Sequence, residues 1–458
     1  MIQYIQVILL IVFFLPYQVF SQGPSDYQFP SSYQPLGSGA RAVGMGGAFI
    51  AIADDATAAS WNPGGLVQLE KSEMSIVGTI LKRSEDVLSE TSGQSLSNES
   101  LNYEDLNYFS LSHCFTFFQR NMVVSLNIQN LYDFNRTWAM SVPFPTETPG
   151  LSVEQTVDFN SDGNLSAIGL AYSVEILPTF SFGFTVNHWD NDLSRNTWET
   201  RLNYSLTAST DAMTDKTIFR SKYEYELDSG FNTNLGFLWQ ITPHLTVGGV
   251  YKARFTSDLT IKSTTIDINE KIVNWKKDEA PIVDNTMDIN CPSYEYEMAM
   301  PASYGLGLAW KISNIWTVSM DVYKTDWDEF IIKTDNGKFS PLFALPSTED
   351  FPVPQTIPTI KPTHQVRLGT EYLALNKDRN MVVPFRLGFF YDPVPGKGSP
   401  DKAFGFSIGS GLTKPPYIFD IALQYRHANN LGEDYQFGTI QSFDMNETTL
   451  YTSFIYHF

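Results

Sequence analysis

"FSFGFTVN" (Phe180–Asn187) alternates without a slip. Phe180, Phe182, Phe184 and Val186 fall on one face, and Ser181, Gly183, Thr185 and Asn187 on the other. A period of two marks a strand, here with one greasy face and one small or polar face. "YGLGLAW" (Tyr304–Trp310) repeats the pattern, with Gly305, Gly307 and Ala309 on the small face. So does "AFGFSIGSG" (Ala403–Gly411), with Phe404, Phe406 and Ile408 opposite Gly405, Ser407 and Gly409. Fourteen such segments centre near residues 77, 110, 126, 168, 184, 235, 250, 306, 320, 369, 386, 407, 422 and 453. The number is even, as single-chain bacterial outer-membrane barrels require.

The connections alternate between long and short. Long stretches run roughly over 83–103, 134–160, 191–217, 257–300, 329–362, 392–402 and 429–446. Between them lie the short "FFQRN" (Phe117–Asn121), "EILPT" (Glu175–Thr179), "ITPH" (Ile241–His244), "ISNI" (Ile312–Ile315), "LNKDRN" (Leu375–Asn380) and "TKPP" (Thr413–Pro416). Transmembrane β-barrels have this asymmetry, with turns in the periplasm and loops outside the cell. A soluble β-sandwich also alternates, but it has no reason to segregate its loops by length. The chain ends "TLYTSFIYHF", with Phe454, Tyr456 and Phe458 on one face, which looks like an outer-membrane assembly signal. The expected fold is therefore an all-β transmembrane antiparallel barrel of about fourteen strands. Greasy faces turned outward leave small and polar faces around a lumen. A barrel of this size is too wide for its own side chains to fill, so it is either plugged or an open pore.

Composition agrees. The net charge of −20 disfavours nucleic acid as a partner. Beyond the N-terminus no run of 18 apolar residues suggests a membrane helix. The first residues, "MIQYIQVILLIVFFLPYQVFSQGPSD", hold a short apolar run (Ile5–Leu15) and acceptable cleavage residues before Gln22. They read as a signal peptide cut after Ser21. The organisation expected is a leader over 1–21, a plug over 22–70 and a barrel over 71–458. Cys114 and Cys291 lie far apart with no CxxC spacing, so neither a disulfide framework nor a zinc site is supported, and both thiols are expected to be unpaired.

The plug would be built around "SGARAVGMGGAFIAIADDATAASWNPGGL" (Ser38–Leu66). Gly44, Gly46 and Gly47 let backbone approach backbone closely. "ADDATAAS" (Ala53–Ser60) suits a short helix, with Asp54 or Asp55 near its start, where negative charge is favoured. In "WNPGG", Pro63 biases Asn62 away from the helical region and Gly64 permits positive φ. The Asn62 amide is expected to pair with backbone at the barrel wall.

These residues carry a resemblance. The stretch from Gly39 to Leu66 resembles the hatch of the long-chain fatty acid transporter family of FadL-type outer-membrane proteins, which includes aromatic hydrocarbon channels. The family turn is Asn-Pro-Ala, and here it is Asn62-Pro63-Gly64. "PASYGLGLAWKISNIWTVSMDVYKTDW" (Pro301–Trp327), "HQVRLGTEY" (His364–Tyr372) and "FRLGFFYD" (Phe385–Asp392) resemble hairpins of the same family. The resemblance implies a fourteen-strand barrel gated by its hatch, with Gly44, Gly46, Gly47, Asp54, Asp55, Asn62 and Pro63 as hatch residues. It implies entry of a hydrophobic ligand from outside and lateral exit into outer-membrane lipid at a kinked third strand. The third strand here, "NMVVSLNIQNLYDF" (Asn121–Phe134), has neither Gly nor Pro.

Other chemistry finds little support. The glycine run lacks the Lys-Ser/Thr ending of a phosphate loop and follows no strand. His113 alternates with Leu111 and Phe115, has no accompanying serine motif and reads as a wall residue. Asp54 and Asp55 fit a helix start better than a catalytic or cation-binding pair. Arg367 and Arg386 share the inward phase on neighbouring strands and are the ligand-binding candidates, through charge-assisted bonds to a carboxylate. The favoured alternative for them is an internal ion pair with Glu371 or Asp420. No catalytic residue, metal or cofactor is expected. The function expected is passive uptake of hydrophobic compounds, foremost long-chain fatty acids. The alternative is a barrel serving a secretion system or surface attachment.

Overall fold

The computed structural model describes residues 37–89, 95–144, 146, 148–194, 196–211, 213–275, 282–284, 293–334, 337–339, 360–396, 399–432 and 440–458. The expected leader, the plug before residue 37 and Cys291 lie outside them. Fourteen strands close into one antiparallel ring. In chain order they are β1 (Glu73–Ser89), β2 (Ser95–Phe117), β3 (Arg120–Asp133), β4 (Ser152–Leu177), β5 (Phe180–Asp190), β6 (Ser229–Gln240), β7 (Leu245–Lys252), β8 (Ser303–Ser313), β9 (Trp316–Thr325), β10 (Thr363–Asn376), β11 (Met381–Tyr391), β12 (Ala403–Lys414), β13 (Tyr417–Leu431) and β14 (Ile440–His457). Each pairs with its sequence neighbour in this series, and β14 pairs back onto β1 from Glu73↔His457 to Leu88↔Ser442. Every centre read from the alternation falls within one of these strands.

The alternation sets what faces where. On β8, Leu306, Leu308 and Trp310 are exposed, whereas Gly305, Gly307 and Ala309 point inward. Trp239, Trp310, Trp316 and Tyr417 lie outward beside the short turns, where amphipathic rings suit a membrane interface.

The long connections depart from the expectation of plain loops. Five segments, Arg136–Phe144, Thr197–Ser209, Met213–Leu227, Phe255–Trp275 and Tyr294–Met300, are strands, with shorter pieces at Ile282–Asp284, Ile331–Thr334 and Gly337–Phe339. They form a second sheet that continues from the wall through β4, whose first half pairs with Arg136–Phe144 and Thr197–Ser209. Its alternation has inverted polarity. Trp198, Tyr204 and Leu206 are buried, while Arg201 and Asn203 face outward. Outside the membrane the outer face meets water, so the apolar row turns inward. Polar content makes these stretches resemble loops, because their outer face is not greasy.

Residues 37–69 lie inside the ring. They form two short helices, Ala40–Gly44 and Ala58–Trp61, and a 3₁₀ turn at Pro63–Gln68. Inward glycines of the wall meet this segment backbone to backbone. A Cβ on Gly388 would lie 2.0 Å from Gly46 N, one on Gly369 2.3 Å from Met45 O, and one on Gly183 2.4 Å from Pro63 O. The small face of each strand is thus the seat of the luminal segment. Because backbone cannot yield as a flexible side chain does, Gly388→Val is expected to displace the segment at a cost of about 1–3 kcal/mol. Heat-modifiable gel mobility should persist while ion conductance in planar bilayers rises. Unchanged conductance would mean that this contact does not hold the segment in place.

Candidate functional site

The luminal segment is tied to strands all around the ring. Ala40 N donates to Ser453 Oγ of β14 (2.7 Å), and Gly46 N to Ser407 Oγ of β12 (2.9 Å). Arg367 Nη1 of β10 donates to Gly46 O (2.9 Å), and Ser319 Oγ of β9 to Ala48 O (2.7 Å). Asp321 Oδ2, also on β9, accepts from both Phe49 N (2.7 Å) and Ile50 N (2.9 Å). On the far side, Ser181 Oγ of β5 donates to Gly64 O at 2.7 Å, and Tyr108 OH of β2 to Ala56 O at 2.9 Å.

Asn62 is wholly buried within the "WNPGG" turn. Its Nδ2 donates to Ile50 O (2.8 Å) within the segment and to Phe237 O (2.9 Å) on β6. Its Oδ1 accepts from Gly64 N (3.1 Å), and Pro63 starts the 3₁₀ turn at the next position. Gly236 makes room for it, since a Cβ there would lie 2.1 Å from Asn62 Oδ1.

The acidic pair divides its work. Asp54 pairs with Arg41 at 2.5 Å, while Asp55 Oδ1 accepts from Thr57 N (2.9 Å) just ahead of Ala58–Trp61. Burial raises the Asp55 carboxyl above its usual range, against the pull of Arg41 and Thr57. Arg41 also reaches Glu371 of β10 (3.0 Å). Glu371 in turn accepts from Arg386 Nε of β11 (2.8 Å), and Arg386 Nη1 reaches Asp420 of β13 (2.6 Å). Arg367 Nη2 lies 3.3 Å from Asp392, which Arg426 also contacts. Both ligand-binding candidates therefore face protein carboxylates. His113 is exposed on the outer wall, its Nδ1 at 3.0 Å from Ser72 Oγ. Cys114 is a free thiol. Among the described residues no cluster of His, Cys, Asp or Glu is arranged to hold a metal.

Sequence reasoning did not single out Asp321. The signal was present: in "WTVSMDVYKT" its neighbours Met320 and Val322 face lipid, so a fully buried carboxylate points at the lumen.

On the long-loop side of the segment, buried ion pairs such as Arg83–Glu447 and Arg136–Glu85 stand beside a buried apolar cluster. One continuous cluster joins the wall tops to the second sheet, including Phe134, Trp138, Phe159, Trp198, Trp327 and Phe443. Its rings stack face to face. Phe134–Trp198 centroids are 4.3 Å apart with 6° between planes, and Trp198–Tyr225 are 4.7 Å apart at 2°. On the turn side, an open and mostly polar cavity of about 650 Å³ lies below the segment, lined by Gln68, Glu70, Asn121, Glu175, Gln240 and Leu238 among others. Along the axis the packed apolar cluster, the hydrogen-bonded luminal segment and the turn-side cavity follow one another.

A family model described as "Outer membrane protein transport protein (OMPP1/FadL/TodX)" matches residues 36–400. The chain belongs to this family. Its members are outer-membrane transport proteins for hydrophobic compounds, and a closed barrel with a greasy outer wall places this one in the outer membrane. The fold is similar to a Pseudomonas aeruginosa FadL homologue, with a TM-score of 0.56, 12% identity, and coverage of 93% of this chain and 100% of that one. It is also similar to the Ralstonia pickettii toluene transporter TbuX, with a TM-score of 0.51, 14% identity, and coverage of 93% and 99%. The Pseudomonas putida toluene transporter TodX gives a TM-score of 0.51, 13% identity, and coverage of 93% and 99%. No curated protein sequence matches the chain.

Two substitutions probe how this member of the OMPP1/FadL/TodX family holds its luminal segment. Asn62→Ala and Asp321→Ala each strand buried backbone groups, at about 1–3 kcal/mol apiece. Neither loss is large beside the hydrogen bonds that seal the wall. Both variants should keep heat-resistant mobility and show raised conductance. A variant that fails to assemble would assign its residue to folding instead.

Proposed function

We propose that this chain admits long-chain fatty acids passively, through the apolar cluster of the long-loop side and past residues 37–69 acting as a hatch. The observation that carries the reading is the large buried apolar cluster on the long-loop side, in a chain of a family that transports hydrophobic compounds. In this reading a hydrophobic solute coming from the long-loop side parts the packed rings of Trp138, Phe159 and Phe443 on its way to the segment. Burying apolar surface there drives entry at about 25 cal/mol per Å² without an energy source. Gly44, Gly46, Gly47, Asp54, Asp55, Asn62 and Pro63 are the moving parts in this reading. The acyl chain supplies the binding energy, because Arg367 and Arg386 are engaged with carboxylates and with the hatch.

A second reading, aromatic hydrocarbons as cargo, is favoured by the parallel rings of Phe134, Trp198 and Tyr225, which a flat ring can stack on once the cluster parts. TbuX and TodX are toluene transporters by name. The two separate in an uptake assay with labelled oleate and labelled toluene. Trp198→Ala is expected to lower toluene uptake more than oleate uptake only if rings are the cargo. In the fatty-acid reading, saturating oleate blocks toluene entry and the reverse fails. Deleting Ser38–Leu66 should leave an assembled barrel that admits small hydrophilic antibiotics. Unaltered antibiotic sensitivity would contradict the hatch.

A further inference from the structure

Asp321 and Arg367 are directly opposite one another on β9 and β10, and both are fully buried. Opposed residues of neighbouring antiparallel strands have Cβ atoms about 5 Å apart, which suits an ion pair. Yet no ion pair joins these two, because each is turned to the luminal segment. Asp321 Oδ2 accepts from Phe49 N and Ile50 N, and Arg367 Nη1 donates to Gly46 O. The carboxylate leans away from β10 toward β8, where a Cβ on Gly307 would come within 2.5 Å of Asp321 Oδ1. Among the described residues that Oδ1 and Arg367 Nε have no hydrogen-bond partner. Buried polar atoms without a partner are few in folded proteins and costly. Here two opposite charges stand side by side, each incompletely satisfied, with a second arrangement within reach.

The backbone atoms they hold are also a pair. Gly46 O and Ile50 N have the donor–acceptor spacing of one helical turn. Neighbouring groups of the segment bond to one another, Ala48 N to Met45 O at 3.2 Å and Ala53 N to Phe49 O at 2.9 Å. At Gly46 and Ile50 the wall side chains have come between donor and acceptor. The chain is bent there by positive φ at Gly46 (69°) and Gly47 (73°). Glycine crosses to the right-handed region without steric penalty, so the turn can close once the wall lets go. Two bonds across the boundary, Asp321 to Ile50 and Arg367 to Gly46, then exchange for two that do not cross it. Gly46 pairs with Ile50 within the segment, and Asp321 with Arg367 within the wall. Of the groups held at this point, Phe49 N alone gives up a partner.

We propose that Asp321 and Arg367 form a partner-exchange latch, which holds residues 46–50 while the segment is seated and closes on itself when the segment leaves. The inference rests on the reading of residues 37–69 as a hatch and is independent of the cargo. The latch lowers the cost of release at one place on the wall. It also spares the open lumen an unpaired carboxylate and an unpaired guanidinium, the costly outcome of breaking a buried charge contact.

The test follows hatch release on the full-length chain in lipid nanodiscs, by hydrogen–deuterium exchange of the peptide covering residues 46–53. Amides that exchange only on local opening report the population of the open state. Asp321→Asn and Arg367→Gln keep the shape and remove the charge, and they are measured singly and together. A pair formed only in the open state is lost in each single variant and lost only once in the double. The product of the wild-type and double-variant rates should therefore exceed the product of the two single-variant rates about tenfold, a coupling in the middle of the range for residues in contact. Equal products overturn the proposal. So does a smaller wild-type product, which would mean that the two side chains act together only while the segment is seated. Exchanging the charges, Asp321→Arg with Arg367→Asp, keeps the wall pair but sets a donor against Ile50 N and an acceptor against Gly46 O. That variant should conduct more in planar bilayers than Asp321→Ala, and conductance equal to the wild type's counts against the latch. If the peptide stays protected in every variant, Asn62→Ala included, the segment does not move, and the hatch reading fails together with the latch.

Discussion

Hydrocarbon offers no hydrogen-bond partner, so every amide of a membrane-spanning strand must be satisfied by another strand. The ring of fourteen strands, closed by β14 on β1, meets that demand and leaves no edge. The rest follows from closure. With the apolar rows turned to lipid, the inner rows are small or polar, and a ring of this size surrounds more space than those rows fill. Residues 37–69 occupy it, and they fit because the inner rows are glycine where the segment's backbone comes closest.

Holding backbone inside a barrel raises the same demand a second time. The luminal segment has little regular structure of its own, and its amides and carbonyls turn to wall side chains: Asp321, Ser319, Ser407, Ser453 and Ser181. These are single, replaceable bonds, each contributing about 1 kcal/mol, against the continuous ladders of the wall. The wall and the segment therefore differ in how easily they open, which suits a fixed channel with a movable obstruction. The ion pairs that run from Asp54 through Arg41, Glu371 and Arg386 to Asp420 join the two parts. Breaking either buried pair of Arg386, with Glu371 or with Asp420, by removing one partner costs about 3–5 kcal/mol, more than any of the neutral bonds.

How much of this was legible depends on which solvent each face meets. The wall strands could be read because lipid imposes an apolar residue at every second position, as in "YGLGLAW". The second sheet could not be read by the same rule. "TWETRLNYSLTAS" (Thr197–Ser209) alternates too, but water on its outer face makes that row Glu199, Arg201 and Asn203, which resembles a loop. The inward phase of Arg367, Arg386, Glu371 and Asp420 follows from alternation alone. Their partners Arg41 and Asp392 sit on the luminal segment and past the end of β11, where no period operates, so the full network was out of reach. Asn62 was legible through its turn chemistry, whereas Asp321 required weighing a lone inward carboxylate that has no motif around it.

The central claim is that the interior on the long-loop side receives a hydrophobic compound. Native mass spectrometry of protein extracted gently from outer membranes tests it most directly. The account predicts adducts of small apolar mass on the wild-type chain, depleted when Leu206 and Met298, both buried in the apolar cluster, are replaced by Asp. An empty lumen together with a stably bound protein partner would contradict it, and would favour a role in secretion or surface attachment.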